Sequence, residues 1–207
     1  MLDRFTDDNA VSRSLSCGEP AIAYMKAMPS DWTLGYPRYL IEDGCPEIER
    51  GQIFEWPALE FYTEGTLAIC ETRSRTAFEV DDFRYSISAE VIYLSDTASV
   101  IDFGLRAIRT RDLLPPECRE GDFVSGEIYV GFPLCTEIVP DKVHSSLAYS
   151  WDVAAIFADL TPCIEHRDDI GRTWFTRDRS QIRYKEVSAT KALGAQAYAL
   201  RCRPRMQ

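Results

Sequence analysis

The chain has 207 residues, of which 33 are Asp or Glu and 23 are Lys or Arg, for a formal net charge of −10. With 45% hydrophobic and 27% charged residues, it carries enough apolar side chains for a core and is too ordinary in composition to be disordered. The acidic balance argues against broad nucleic-acid binding, because a surface that repels phosphates cannot release their counterions, and the length suits one domain over 1–207.

Residues 1–50 are turn-rich, with Pro20, Pro29, Pro37 and Pro46 interleaved with Gly18, Gly35 and Gly44. One short helix is expected from Pro20, which suits a first helical position, to Met28, just before Pro29. The rest of this segment reads as loop packed over a sheet by Trp32, Tyr36 and Tyr39. The β-rich body starts at residue 56. Residues 57–63 and 66–71, separated by Glu64-Gly65, have the pattern of a tight hairpin.

The clearest element follows, where Phe83, Tyr85, Ile87, Ala89 and Val91 alternate with Arg84, Ser86, Ser88 and Glu90 to give a long strand with one wet face. Ser95-Asp96 offers a turn into a strand at 99–103, and 104–112 fits strand or short helix before Pro115-Pro116. Residues 121–131 form a further strand in which Gly126 signals a bulge or bend. The aromatic and β-branched content of 149–160 favours strand over helix. Shorter strands are expected at 174–176, 181–187 and 197–203, with a helical turn near 189–193.

Strands at roughly ten-residue intervals with little helix predict a mainly β fold with minor α content. An antiparallel barrel or sandwich is expected, and a small OB-like barrel, of the oligonucleotide/oligosaccharide-binding kind, suits the long and the glycine-bent strands.

The longest apolar run, 153–158, falls far short of the roughly twenty residues of a membrane-crossing helix. Asp3, Asp7 and Asp8 at the start do not suit a secretory signal. Seven scattered cysteines make neither a disulfide framework nor a zinc knuckle, so a reducing cytoplasm fits best. The charge is divided: residues 1–166 hold 29 acids and 13 bases, whereas 167–207 hold 4 acids and 10 bases. Either the basic end docks on the acidic body or it forms an Arg-rich contact surface.

Catalytic signatures are weak. No Gly precedes Lys, no Gly-x-Gly occurs, and only two histidines are present, which removes the phosphate-binding loop and the dinucleotide fingerprint. Cys163, His166, Asp168 and Asp169 are the only local concentration of possible metal ligands and read more naturally as a polar loop. Glu79, Asp81 and Asp82 read as edge-strand charges rather than an acid/base pair. No cofactor or metal is implied.

The sharper constellation is Trp174, Arg177, Arg179, Arg183 and Tyr184, expected on neighbouring strands of a hairpin turning through 177–180. Arginine outnumbers lysine 19 to 4, and Arg interleaved with aromatics can stack bases or grip anions. Tyr85, Tyr93 and Tyr129 are further candidate stacking residues.

Three readings remain open. The first is a non-enzymatic cytoplasmic module whose acidic surface binds another protein, a basic one fitting best, in the manner of an inhibitor or immunity-type protein. The second is a barrel that binds a small ligand or a single-stranded oligonucleotide. The third is an enzyme whose carboxylate site assembles only in three dimensions.

Overall fold

The computed structural model describes residues 28–56, 58–63, 65–80, 83–133 and 147–205. The expected helix from Pro20, together with Asp81 and Asp82, lies outside them. Among the described residues the elements are β1 (Trp32–Pro37), α1 (Arg38–Glu42), β2 (Ile53–Trp56), β3 (Leu59–Tyr62), β4 (Ala68–Cys70), β5 (Thr76–Glu79), β6 (Arg84–Leu94), β7 (Ala98–Asp102), β8 (Arg106–Thr110), β9 (Phe123–Gly131), β10 (Tyr149–Asp159), β11 (Cys163–Arg167), β12 (Thr173–Arg177), β13 (Tyr184–Val187) and β14 (Ala197–Arg205). No helix among them is long and apolar enough to cross a membrane. The fold is mainly β, built on a closed five-stranded barrel with extra strands.

The barrel ring is β9-β3-β8-β7-β6, closed by β6 against β9. A ring of five strands cannot alternate direction all the way round, so one neighbouring pair must be parallel. That pair is β3–β8, and the other four are antiparallel. Going one way from Glu60, paired neighbours lead through Ile108 and Val100 to Tyr93; going the other way from Tyr62, they lead through Tyr129 to Arg84. The tip of β3 thus meets β6 near its end on one side and at its start on the other, the stagger that tilts the strands of a closed barrel. Alternation fills the interior: Tyr85, Ala89, Val91, Val124 and Ile128 are fully buried, while their sequence neighbours face outward.

Beyond the barrel the same 12-stranded sheet continues from β9 as an open second layer, the second sheet. β1 joins it by a single parallel pair, Gly35 with Gly131, and then pairs antiparallel with β14; β14 pairs with β10, whose far edge carries β2 and β13 on its two halves. Residues 32–37, expected as loop, are therefore a strand inside the sheet. The expectation failed because the strands that pair with β1, β14 and β9, and the rings that cover Trp32 and Tyr36, are all distant in sequence.

The described residues do not form the hairpin expected around Glu64-Gly65. β3 and β4 do not pair with each other but lie along the same side of β9, β3 at residues 129–131 and β4 at 123–125. Between these two partners sits Gly126, where a Cβ would come within 2.8 Å of Leu67.

One hydrophobic cluster spans both sheets. At its centre Trp32 of β1 packs on Tyr85 of β6 and Phe103 of the β7–β8 turn, with ring centroids 5.0 and 5.7 Å away. A second aromatic group, Tyr36, Phe54, Trp56 and Phe132, fills the space under β2 at 5.3–6.4 Å.

At this seam between β1 and β9 there is no room for a side chain on Gly131, whose Cβ would lie 2.9 Å from the carbonyl oxygen of Gly35. Both groups are backbone-fixed, and the same oxygen accepts a hydrogen bond from Phe132 N at 3.2 Å. Gly131→Ala is expected to lower stability by about 1–3 kcal/mol, the range for overpacking. Urea unfolding of the two proteins checks it, and an unchanged midpoint would show that the seam can open.

Burial raises the phenol of Tyr85 from its ordinary 10.0 to about 12. The unfolded chain then ionises first, so the stability this residue contributes is complete below pH 10 and lost as the pH rises through about 12. Tyr36 is shifted in the same direction by burial. Alkaline unfolding followed by near-UV absorbance is expected to release these phenols together with loss of structure, rather than as an earlier, separate titration.

Candidate functional site

After β10 the chain leaves the main sheet and forms a separate two-stranded sheet, β11 with β12. The turn between them is set by Asp168, whose Oδ1 accepts from Ile170 N at 3.1 Å and Arg172 N at 2.7 Å, and by Gly171 at φ +82, a conformation suited to glycine. Residues 163–167, expected as polar loop, are thus the first strand of this hairpin. The signal available was the Asp-Asp-Ile-Gly turn between two short runs.

At its base, Asp178 N donates to Pro162 O at 2.8 Å, and Arg177 lies 2.9 Å from Asp159 and hydrogen-bonds the Tyr184 hydroxyl. Alternation puts Ile164, His166, Trp174 and Thr176 on one face and Glu165 and Phe175 on the other. On the first face His166 stacks on Trp174 at 5.4 Å and 14° and reaches Thr176 Oγ1 at 2.6 Å. Ile164, Ile170, Trp174 and Phe175 are 44%, 70%, 47% and 62% exposed. Apolar side chains on both faces and at the tip are therefore left in solvent.

Where the hairpin base meets the outer wall of the barrel, Tyr62, Tyr129, Thr176, Arg177 and Arg179 line an open cleft of about 420 Å³. Tyr62 of β3, Tyr129 of β9 and Arg84 of β6 are directly paired across three adjacent strands, so they share one face. Arg179 Nη2 donates to the Tyr129 hydroxyl at 2.8 Å, and the Arg109 guanidinium covers the Tyr62 ring at 4.5 Å. Tyr62 donates to Glu60 Oε2 at 2.6 Å, and burial pushes this phenol upward. A smaller cleft of about 210 Å³ adjoins on the far side of Tyr129, lined by Thr63, Gly65, Arg84 and Glu127.

Of the residues anticipated from sequence, Arg177, Arg179 and Tyr129 meet in this cleft, with Tyr184 behind Arg177. The expected hairpin through 177–180 is not formed: β12 pairs with β11, while β13, which starts at Tyr184, pairs with β10. Trp174 lies on the projecting hairpin. Arg183 sits at the hairpin's return, its N bonded to Thr161 Oγ1 at 3.1 Å. Tyr85 cannot stack an external ring, because it is fully buried against Trp32 and its hydroxyl accepts from Thr33 N at 2.6 Å. Tyr93 is half-buried beside the small cluster of Ala98, Val100 and Ile108. Tyr62 is not among the residues anticipated from the sequence, although its phase opposite to buried Phe61 puts it on the outer face of β3.

The basic end largely folds back on the acidic body. Arg177 pairs with Asp159 at 2.9 Å, Lys191 with Glu47 at 2.6 Å, Arg203 with Asp31 at 2.8 Å and Arg205 with Asp152 at 3.9 Å. Arg50 reaches back to Glu186 at 2.7 Å, and Arg201 covers the ring of Phe157 at 5.6 Å. The outer pairs are well solvated, so each contributes only about 0–1 kcal/mol. Their joint effect is to place the chain's last strands against carboxylates of the body. Among the described residues no group of three or more His, Cys, Asp or Glu could hold a metal ion, and Cys163, His166 and Asp168 are strung along the hairpin. No family model, no curated protein and no solved structure matches this chain.

Proposed function

We propose that the protein is a non-enzymatic, cytoplasmic binding protein whose partner is another protein, gripped by the β11–β12 hairpin. The observation that carries this reading is the gathering of four exposed apolar side chains, Ile164, Ile170, Trp174 and Phe175, on one short two-stranded sheet, whereas the exposed aromatics elsewhere among the described residues, Tyr39 and Phe78, lie on separate elements. Apolar side chains gathered on one projecting element mark interaction sites, and Trp is among the residues that most often dominate binding energy. The hairpin also carries Glu165, Arg167, Asp168, Asp169 and Arg172, with Glu165 directly opposite Phe175, so its exposed apolar side chains are interleaved with charged ones.

The acidic surplus of the whole chain favours a basic partner, since complementary charge speeds encounter and fixes orientation. That combination is the one an inhibitor or immunity-type protein would use against a basic toxin or nuclease. The closed barrel supports a binding role through its resemblance in strand number to the OB kind, a scaffold used for recognition. The cytoplasmic reading rests on the scattered cysteines.

The reading is tested by capture from a native lysate with immobilised protein at low and at high salt. A partner whose recovery falls tenfold or more at high salt is expected. Recovery of salt-insensitive background alone would count against it.

A further inference from the structure

We propose that the groove over β3, β9 and β6 binds a nucleotide unit, with the base stacked on the tyrosine pair and the phosphate held by the hairpin-base arginines. This site adjoins the base of the hairpin, sharing Thr176 and Arg177 of β12 with it, and rests on observations other than the exposed apolar side chains. Tyr62 and Tyr129 are in-register neighbours on the outer face, and neighbouring strands lie about 4.8 Å apart, so the row Tyr62, Tyr129, Arg84 extends roughly 10 Å across the sheet. The two clefts, about 420 and 210 Å³, meet at Tyr129. The larger falls in the size range of small-ligand sites.

The charge of this groove departs from that of the chain. Arg84, Arg109, Arg177 and Arg179 gather around Glu60, Glu127 and Asp159, so guanidinium groups outnumber carboxylates here, whereas the chain as a whole stands at −10. Each arginine is held in place: Arg84 by Glu127 at 2.7 Å, Arg109 by Glu60, Arg177 by Asp159 and Arg179 by Tyr129. Anchoring of this kind fixes the donors before a ligand arrives and lowers the ordering cost of binding. Guanidinium groups beside aromatic faces are the pairing that holds single-stranded nucleic acid, through stacking and phosphate contact together. The acidic surface beyond the groove repels a phosphate backbone, which restricts the site to one or two nucleotides rather than a long tract.

The same chemistry is offered by a free nucleotide and by a short stretch of single strand, and two arms separate them. Fluorescence anisotropy of a labelled ten-residue thymidine strand at low salt is the first arm; competition by thymidine monophosphate is the second. Binding with a shallow salt dependence is expected, the slope of log K against log salt being about −1.4 for two phosphate contacts on a single strand. Arg179→Ala and Tyr129→Ala should each weaken binding about tenfold or more, with unchanged circular dichroism. Arg119→Ala, which removes an equal charge before the far end of β9, should leave it unaltered. Full competition by the monophosphate identifies a free-nucleotide site, and binding of the strand without competition identifies a strand groove. The proposal is overturned if the folded protein binds neither probe at low salt, or if Arg119→Ala weakens binding as much as Arg179→Ala.

Discussion

Trp32→Ala is expected to lower the stability of the whole molecule by about 3–5 kcal/mol, the range for truncating a large buried aromatic. Trp32 is 2% exposed and stands where the barrel and the second sheet meet, its ring packed on Tyr85 and Phe103 of the barrel while its backbone pairs with Cys202 of β14. Removing the ring empties the centre of the shared cluster, and the surroundings cannot collapse into the space because β1 is tied on both sides, to β14 and to β9. Denaturant unfolding followed by tryptophan fluorescence and by far-UV circular dichroism measures the effect. A single coincident transition is expected in the parent and the variant, displaced to lower denaturant in the variant. Two resolved transitions, with only one of them displaced, would show that the barrel and the second sheet are separate units.

The parts of this architecture that were legible in the sequence are those whose pattern is self-contained. β6 alternates over most of its length because one face fills the barrel and the other meets solvent, and β9 does the same around Gly126. β10 was readable as strand from its aromatic and β-branched residues, even though a bulge between Val153 and Ala155 breaks its alternation. Pairing was legible only between strands adjacent in the chain: β7 follows β6 through the Ser95-Asp96 turn as expected.

What stayed hidden depends on distant partners. β1 is short and rich in turn-formers, and its strand character comes from β14, more than 150 residues away. β3 and β4 looked like a hairpin because the intervening Glu-Gly is a common turn, yet both are recruited by β9. The candidate site was legible in its chemistry and not in its geometry. The arginines and Tyr129 could be named from composition, but the pairing of β12 with β11 rather than β13 sent Trp174 to the hairpin and left Arg177 and Arg179 at the cleft. Tyr85 shows the opposite limit, since a residue in the inward phase of a strand cannot also serve the surface. The division of charge is legible in the sequence, and the ion pairs from Arg177, Lys191, Arg203 and Arg205 tie four of its bases to carboxylates of the body.

The hairpin carries the second large expected effect. Trp174 and Phe175 are exposed in the folded protein, so replacing both with Ser removes little native packing beyond the stack on His166, and each change should alter stability by only about 0.5 kcal/mol. Both side chains are bulky aromatics of the kind that anchor interfaces when desolvated by a partner, so their joint loss should weaken binding at least thirtyfold, equivalent to about 2 kcal/mol. A large functional effect with a small structural one is the signature of a contact surface. The reverse, a destabilised fold, would mean that the hairpin packs on something within the chain.

The most direct measurement is quantitative capture from one native lysate by the parent protein and by the Trp174→Ser, Phe175→Ser variant, immobilised at equal density and compared at low salt after their melting temperatures have been matched. A partner enriched by the parent and reduced at least thirtyfold on the variant is expected. Equal recovery of every protein by the two surfaces, with both folded, would contradict it.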